Sequence, residues 1–153
     1  MKAPAQLLVA SPDPSVEVCH KLQFLQMACE KLVKAHLCSE NVDPTALQTS
    51  HAYVAGTLPI ILRYAAFTIN FTGPHAKSVL HHARHLAQEI EVLAPAVKRG
   101  GQRPDTCEYP WEDGNGAVRV PLDWTFAPAQ LLMIPAGRSI LKLIRFAINQ
   151  LMP

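Results

Sequence analysis

The chain has 153 residues, of which 49% are hydrophobic and 17% charged, with a formal net charge of +2. That length fits one domain, the apolar share excludes a disordered polar chain, and so small a charge draws nucleic acid only where cations cluster locally. The opening Met1–Ala10 has one lysine and a short apolar run with Pro12 and Pro14 close behind, a poor signal peptide. No run of about 18 apolar residues suggests a membrane span, so a soluble, cytoplasmic protein without membrane contact is expected. Cys19, Cys29, Cys38 and Cys107 form no C-x-x-C pair and read as reduced thiols, used mainly as small buried hydrophobes.

Residues 1–14 form a turn-rich lead-in ending in Ser-Pro-Asp-Pro. Ser15 is expected to cap the first helix, with Val16-Glu17-Val18 opening it. Val18, Leu22, Leu25, Cys29, Leu32 and His36 recur at steps of four and three, the spacing of one helical face, and the helix should end near Cys38. Glu17 with Lys21 and Glu30 with Lys34 sit four apart in the favourable acid-first order.

A second helical region spans about 44–71, with Asp43 as N-cap and Pro44 at the first helical position. Pro59 removes a donor and clashes with the Ala55 carbonyl, so two segments meeting near residues 57–59 are expected, eased by Gly56. The third helix starts at Thr72-Gly73-Pro74, and Val79, Ala83, Leu86, Ile90, Leu93 and Val97 carry its apolar rhythm. Pro95 should distort or stop the last turn, and Gly100-Gly101 breaks the chain.

Residues 98–136 show no helical rhythm and form a long loop carrying Tyr109, Trp111, Trp124 and Phe126. Connections of this length are usually functional or packed as a small feature of their own, and these rings are expected to pin the loop to the bundle. Residues 117–126 would make a short extended pair, though Pro121 argues against a central strand. The last helix begins near Gly137 and buries Ile140, Leu141, Ile144, Ala147, Ile148 and Leu151. The expected fold is a single all-α domain, an up-and-down bundle of four to five helices with an aromatic-rich loop before the last.

Chemistry-bearing residues are few. His81 and His85 lie four apart, the spacing at which two imidazoles share a metal, but the nearest acids, Glu89 and Glu91, point elsewhere on a helical wheel, so no metal and no cofactor is assigned. Lys77, His81, Arg84, His85 and Gln88 form an outward basic stripe without an acid. On the last helix Arg138, Lys142, Arg145 and Asn149 form another. Side by side, two such stripes would contact phosphates; alone, each is an ordinary solvated face. Glu112 and Asp113 near Gly-Asn-Gly fit a turn better than a cation site, since the EF-hand spacing is absent. No G-x-S-x-G, phosphate-cradling glycine loop or H-E-x-x-H occurs.

The first helix, with its Gln26…Glu30-Lys31…Lys34-Ala35 pattern, resembles the opening helix of the HEPN domains, small prokaryotic helical bundles linked to nucleotides and RNA. The resemblance implies a bundle that pairs as a homodimer and binds a nucleotide, RNA or protein, the last including a nucleotidyltransferase-type partner in a toxin–antitoxin-type system. The family's ribonucleases carry an arginine followed by histidine after four to six residues. Arg63, Arg84, Arg99, Arg103, Arg119, Arg138 and Arg145 all lack that histidine. The nearest analogue is Arg145-x4-Gln150, and an amide cannot do an imidazole's acid–base work. A non-catalytic binding protein is therefore the expectation, with Lys77, His81, Arg84, His85, Arg138, Lys142 and Arg145 as its ligand-binding residues. The alternative is a divergent hydrolase or nuclease with its acid–base group under the long loop, supplied by His51, His75 or the His81/His85 pair.

Overall fold

A computed structural model describes residues 15–48, 50–94 and 105–151. Six helices account for most of them: α1 (Val18–Ser39), α2 (Pro44–Gln48), α3 (Val54–Thr68), α4 (Gly73–Glu91), α5 (Ala127–Met133) and α6 (Pro135–Leu151). The described residues outside the helices include a two-stranded antiparallel ribbon, β1 (Trp111–Glu112) against β2 (Val118–Arg119). Every pair among the four long helices α1, α3, α4 and α6 is in contact. The fold is an all-α bundle, and no helix of the described residues is long and apolar enough to cross a membrane.

The periodic positions are the buried ones. Leu22, Leu25, Cys29 and Leu32 of α1, Val79, Ala83, Leu86 and Ile90 of α4, and Ile140, Ile144, Ala147 and Ile148 of α6 are all buried. Most of them join Leu58, Ile61 and Leu62 of α3 in one central cluster. Each large aliphatic side chain removed from water there contributes about 1.5–3 kcal/mol. A smaller cluster at one end gathers Cys19, Leu22, Leu93, Cys107, Trp111 and Phe126. Cys19, Cys29 and Cys107 are buried free thiols and Cys38 is exposed; burial pushes Cys29 up to about 12. At Cys107 burial, then neighbouring Cys19, Asp105 and Glu108, do the same.

Several boundaries differ from those read in the sequence. The first helix opens at Val18 with Glu17 at the N-cap position, not at Ser15, and Val18 is half exposed. Glu30 pairs with Lys34 at 2.7 Å. Asp43 caps α2 as expected, its Oδ1 accepting the Thr45 N–H at 2.9 Å. The break in the second region falls between Gln48 and Val54, and Pro59 lies inside α3. Proline's local penalty of about 3 kcal/mol is set against the burial of Val54, Leu58, Ile61, Leu62, Ala65 and Ala66 along the same helix. Helix α4 stops at Glu91, four residues before Pro95; Pro95, Val97 and Gly100-Gly101 lie outside the described residues. Helices α1 and α3 are each followed by an asparagine in the left-handed region, Asn41 (φ 63°) and Asn70 (φ 54°). This lets Val42 N–H reach Leu37 O and Phe71 N–H reach Ala66 O.

Residues 105–136, the described part of the 98–136 stretch, are more structured than expected. Val118–Arg119 pairs with Trp111–Glu112, not with a strand inside 117–126, and Ala127–Met133 is a helix with Pro128 in its first turn. Trp111 packs edge-on against Trp124 (centroids 5.5 Å apart) and tilted against Phe126 (6.2 Å). Trp111 and Phe126 are buried, so rings do pin this segment to the bundle, while Tyr109 is exposed. Asp113 organises the ribbon turn. Its Oδ1 accepts the backbone N–H groups of Asn115 (2.9 Å) and Ala117 (3.0 Å), and its Oδ2 accepts Arg119 Nε–H at 2.7 Å. Those bonds from Asn115, Arg119 and Ala117 hold the Asp113 carboxyl below its usual range.

Helices α5 and α6 are joined through a close approach that only glycine permits. A Cβ on Gly137 would collide with the Leu131 carbonyl oxygen and lie 2.6 Å from Leu132 Cα. Both are backbone atoms, so no side-chain rotation relieves the clash. Gly137→Ala is expected to destabilise by about 1–3 kcal/mol, read as a lower urea midpoint at unchanged slope; an unchanged midpoint contradicts this packing.

Candidate functional site

Two surface concavities carry functional side chains. The first is a cleft of about 430 Å3 between α1 and the 105–109 segment, lined by Gln26, Met27, Glu30, Lys31, His51, Ala94, Glu108 and Tyr109. Thr106 sets the far wall: its hydroxyl donates to Leu93 O at 3.4 Å and accepts the Glu108 N–H at 3.2 Å. That wall is thereby tied to the residues that follow α4.

Glu30 is the hub of the near wall. Its Oε1 accepts Lys34 Nζ at 2.7 Å. Its Oε2 accepts Gln26 Nε2 at 3.0 Å and bonds His51 Nδ1 at 2.9 Å. Gln26, Glu30 and Lys34 share one face of α1 because they lie four apart, and Gln26 is buried. Burial raises the Glu30 carboxyl, but the bonds from His51, Lys34 and Gln26 outweigh it and leave the group below its ordinary 4.5. An ionised carboxylate only accepts, so Nδ1 of His51 carries the proton of the shared bond. Nε2 is left as the basic edge of the ring. His51 is 38% exposed.

The second concavity is a groove of about 300 Å3 between α3 and α4, lined by Ala55, Gly56, Pro59, Ile60, Arg63, Arg84 and Gln88. Among the described residues its lining includes two arginines from different helices and no acid. Neither arginine has a carboxylate partner among the described residues. Beside it Ile60, Tyr64 and Phe67, spaced four and three apart on α3, are 61%, 72% and 78% exposed. Ile60 and Tyr64 also line a third groove, of about 470 Å3, with Glu40, Ile61 and Phe146.

The expected ligand-binding residues are on the surface: Lys77, His81, Arg84 and His85 along α4, and Arg138, Lys142 and Arg145 along α6 are all exposed. The structure brings Arg84 and Gln88 together with Arg63, not with α6; none of the three α6 cations lines that groove. The α4 stripe is not free of acid either, because Glu89 Oε1 comes within 3.7 Å of His85 Nε2. His81 packs edge-on against His82, and His75 against Phe71. Among the described residues no group of three or more His, Cys, Asp and Glu side chains could hold a metal. Of the histidines considered for acid–base work only His51 lines the cleft beside the loop.

Arg63 and the Glu30–His51 pair were not singled out as a site by spacing. For Arg63 the available signal was a helix apolar on every side, which must either be engulfed or present a face. Comparison with protein-family models, with curated proteins and with solved structures finds no match to this chain.

A carboxyl whose pKa is lower folded than unfolded stabilises the fold above its ordinary value, and that contribution is lost as pH falls through the folded value. For Glu30 the loss begins below pH 4.5. The urea midpoint of wild type should exceed that of Glu30→Gln near about pH 7, with the gap narrowing as pH falls below 4.5. A gap independent of pH contradicts an ionised hub.

Proposed function

We propose that this chain is a non-catalytic, HEPN-like helical binding protein that takes a phosphate-bearing ligand, a nucleotide or single-stranded RNA, in the α3–α4 groove. The observation that carries the reading is the convergence of Arg63 and Arg84 on one concavity whose described lining holds no acid. Arginine is suited to this work: its planar fork donates paired hydrogen bonds to phosphate oxygens and keeps its charge at all working pH values. Gly56 has nothing within 4 Å of where its Cβ would stand, so the groove is open to the α3 backbone. Tyr64 and Phe67, exposed on the adjoining ridge, offer faces on which unpaired bases stack, worth about 1–3 kcal/mol per base. The α6 stripe is a solvated face that helps only by long-range attraction.

The same ridge favours a second reading, in which a second copy of the chain is the partner. Three large apolar side chains stand beside the 470 Å3 groove, and Glu40 lines that groove while Arg63 flanks the ridge. A ridge and a groove on one face, carrying opposite charges, suit a two-fold contact. Light scattering across a dilution series separates this reading, since Phe67→Ser would then shift the mass toward that of one chain.

The test of the first reading is fluorescence anisotropy with a labelled single-stranded oligoribonucleotide, with ATP as competitor. Arg63→Ala with Arg84→Ala should weaken binding at least about tenfold. It should also flatten the slope of log K against log salt by about 1.4, the value for two phosphate contacts on a single strand. Arg138→Ala with Lys142→Ala should leave that slope nearly unchanged. The opposite ranking of the two double variants contradicts the assignment.

A further inference from the structure

The Glu30 cleft holds a histidine–carboxylate pair that the α3–α4 groove does not use. His51 is held by one edge only: Nδ1–H is bound to Glu30 Oε2 at 2.9 Å, and no partner of Nε2 exists among the described residues. The ring lies in a concavity of about 430 Å3. A carboxylate behind Nδ1 fixes the tautomer, orients the ring and stabilises positive charge formed when Nε2 is used. Among the described residues that line the cleft the only hydroxyl is the phenol of the exposed Tyr109, and the Thr106 hydroxyl in the far wall is engaged with Leu93 O and the Glu108 N–H, so the imidazole is the group offered as nucleophile. Lys31 lines the same cleft and supplies a cation for anionic oxygens. Lys31 and Lys34 together offset Glu30 and Glu108, so there is no net negative charge to repel a dianion.

We propose that His51 is a phosphoryl-accepting residue, modified at Nε2 by an acyl phosphate that enters the cleft beside Lys31. In the step the Nε2 lone pair forms the N–P bond while the bond from phosphorus to the acyl oxygen breaks. The carboxylate departs with that electron pair. Nδ1 keeps its proton, and the charge gained by the ring is balanced by Glu30, so no proton has to leave and no further reactant is required. Glu30 acts as a positioning residue through His51.

Acetyl phosphate is the probe, and site mapping by mass spectrometry at neutral pH is the readout. Four of the six other histidines are internal controls: His20, His75, His81 and His85 are all more exposed than His51. His51 should be phosphorylated ahead of each of them. Glu30→Gln, with unchanged helix content, should slow His51 modification about tenfold, the equivalent of one charge-assisted hydrogen bond, and leave the other histidines unaffected. Wild-type selectivity decides the matter even if the variant folds poorly. Phosphorylation in order of exposure, or acetylation of His51 in place of phosphorylation, overturns the proposal.

Discussion

Between Ser50 and Ala55 the chain turns from one helix into the next, and carboxylates from two other helices hold it there. Glu30 of α1 binds the His51 ring, and Glu91, the last residue of α4, accepts the Ala55 N–H at 2.8 Å. Ala55 lies in the first turn of α3, where backbone donors have no helical partner, and Tyr53 at the N-cap position offers no side-chain bond. Glu91 takes the place of a cap from 36 residues away. Its negative charge also meets the positive end of the α3 dipole. Being buried, it works where a hydrogen bond to a charged group is worth about 1.5–3 kcal/mol.

Both functional surfaces follow from that clamp. The bond to His51 closes one wall of the Glu30 cleft. The bond to Ala55 seats the first turn of α3, from which the helix runs on to put Arg63 across from Arg84. Helix α3 has no continuous polar face to fix its rotation, Arg63 being its one charged residue. Burial of Val54, Leu58, Ile61, Leu62, Ala65 and Ala66 satisfies one side, while Ile60, Tyr64 and Phe67 remain in solvent. The polar anchors at its start therefore decide how the helix enters the bundle, and apolar packing sets the depth.

Long-period features were legible in the sequence because helical spacing is a local property. Leu22, Leu25, Cys29 and Leu32 on α1 and Val79, Ala83, Leu86 and Ile90 on α4 could be named as core from their steps of three and four, and the Asp43 cap from its proline neighbour. The α2–α3 break could not, since it falls where bonds spanning 21 and 36 residues tie the chain to α1 and α4 and not at Pro59. Helix α5 was hidden by its seven residues and early proline, too few for a rhythm. The outward cations were also legible as cations. Which of them share a groove was not: Arg84 meets Arg63 on another helix, and the Gln26, Glu30 and Lys34 positions revealed a motif on α1 without revealing that it grips His51.

Both surfaces depend on the clamp, and amide hydrogen exchange at Ala55 tests it most directly. A donor in the first turn of a helix ordinarily exchanges fast, because nothing in the helix holds it. If Glu91 accepts that proton inside the bundle, the Ala55 amide should exchange only when the whole domain opens, at the slow rate of the core amides of α4. Exchange as fast as that of a frayed terminus would contradict the clamp, and with it the placement of α3 on which both surfaces rest.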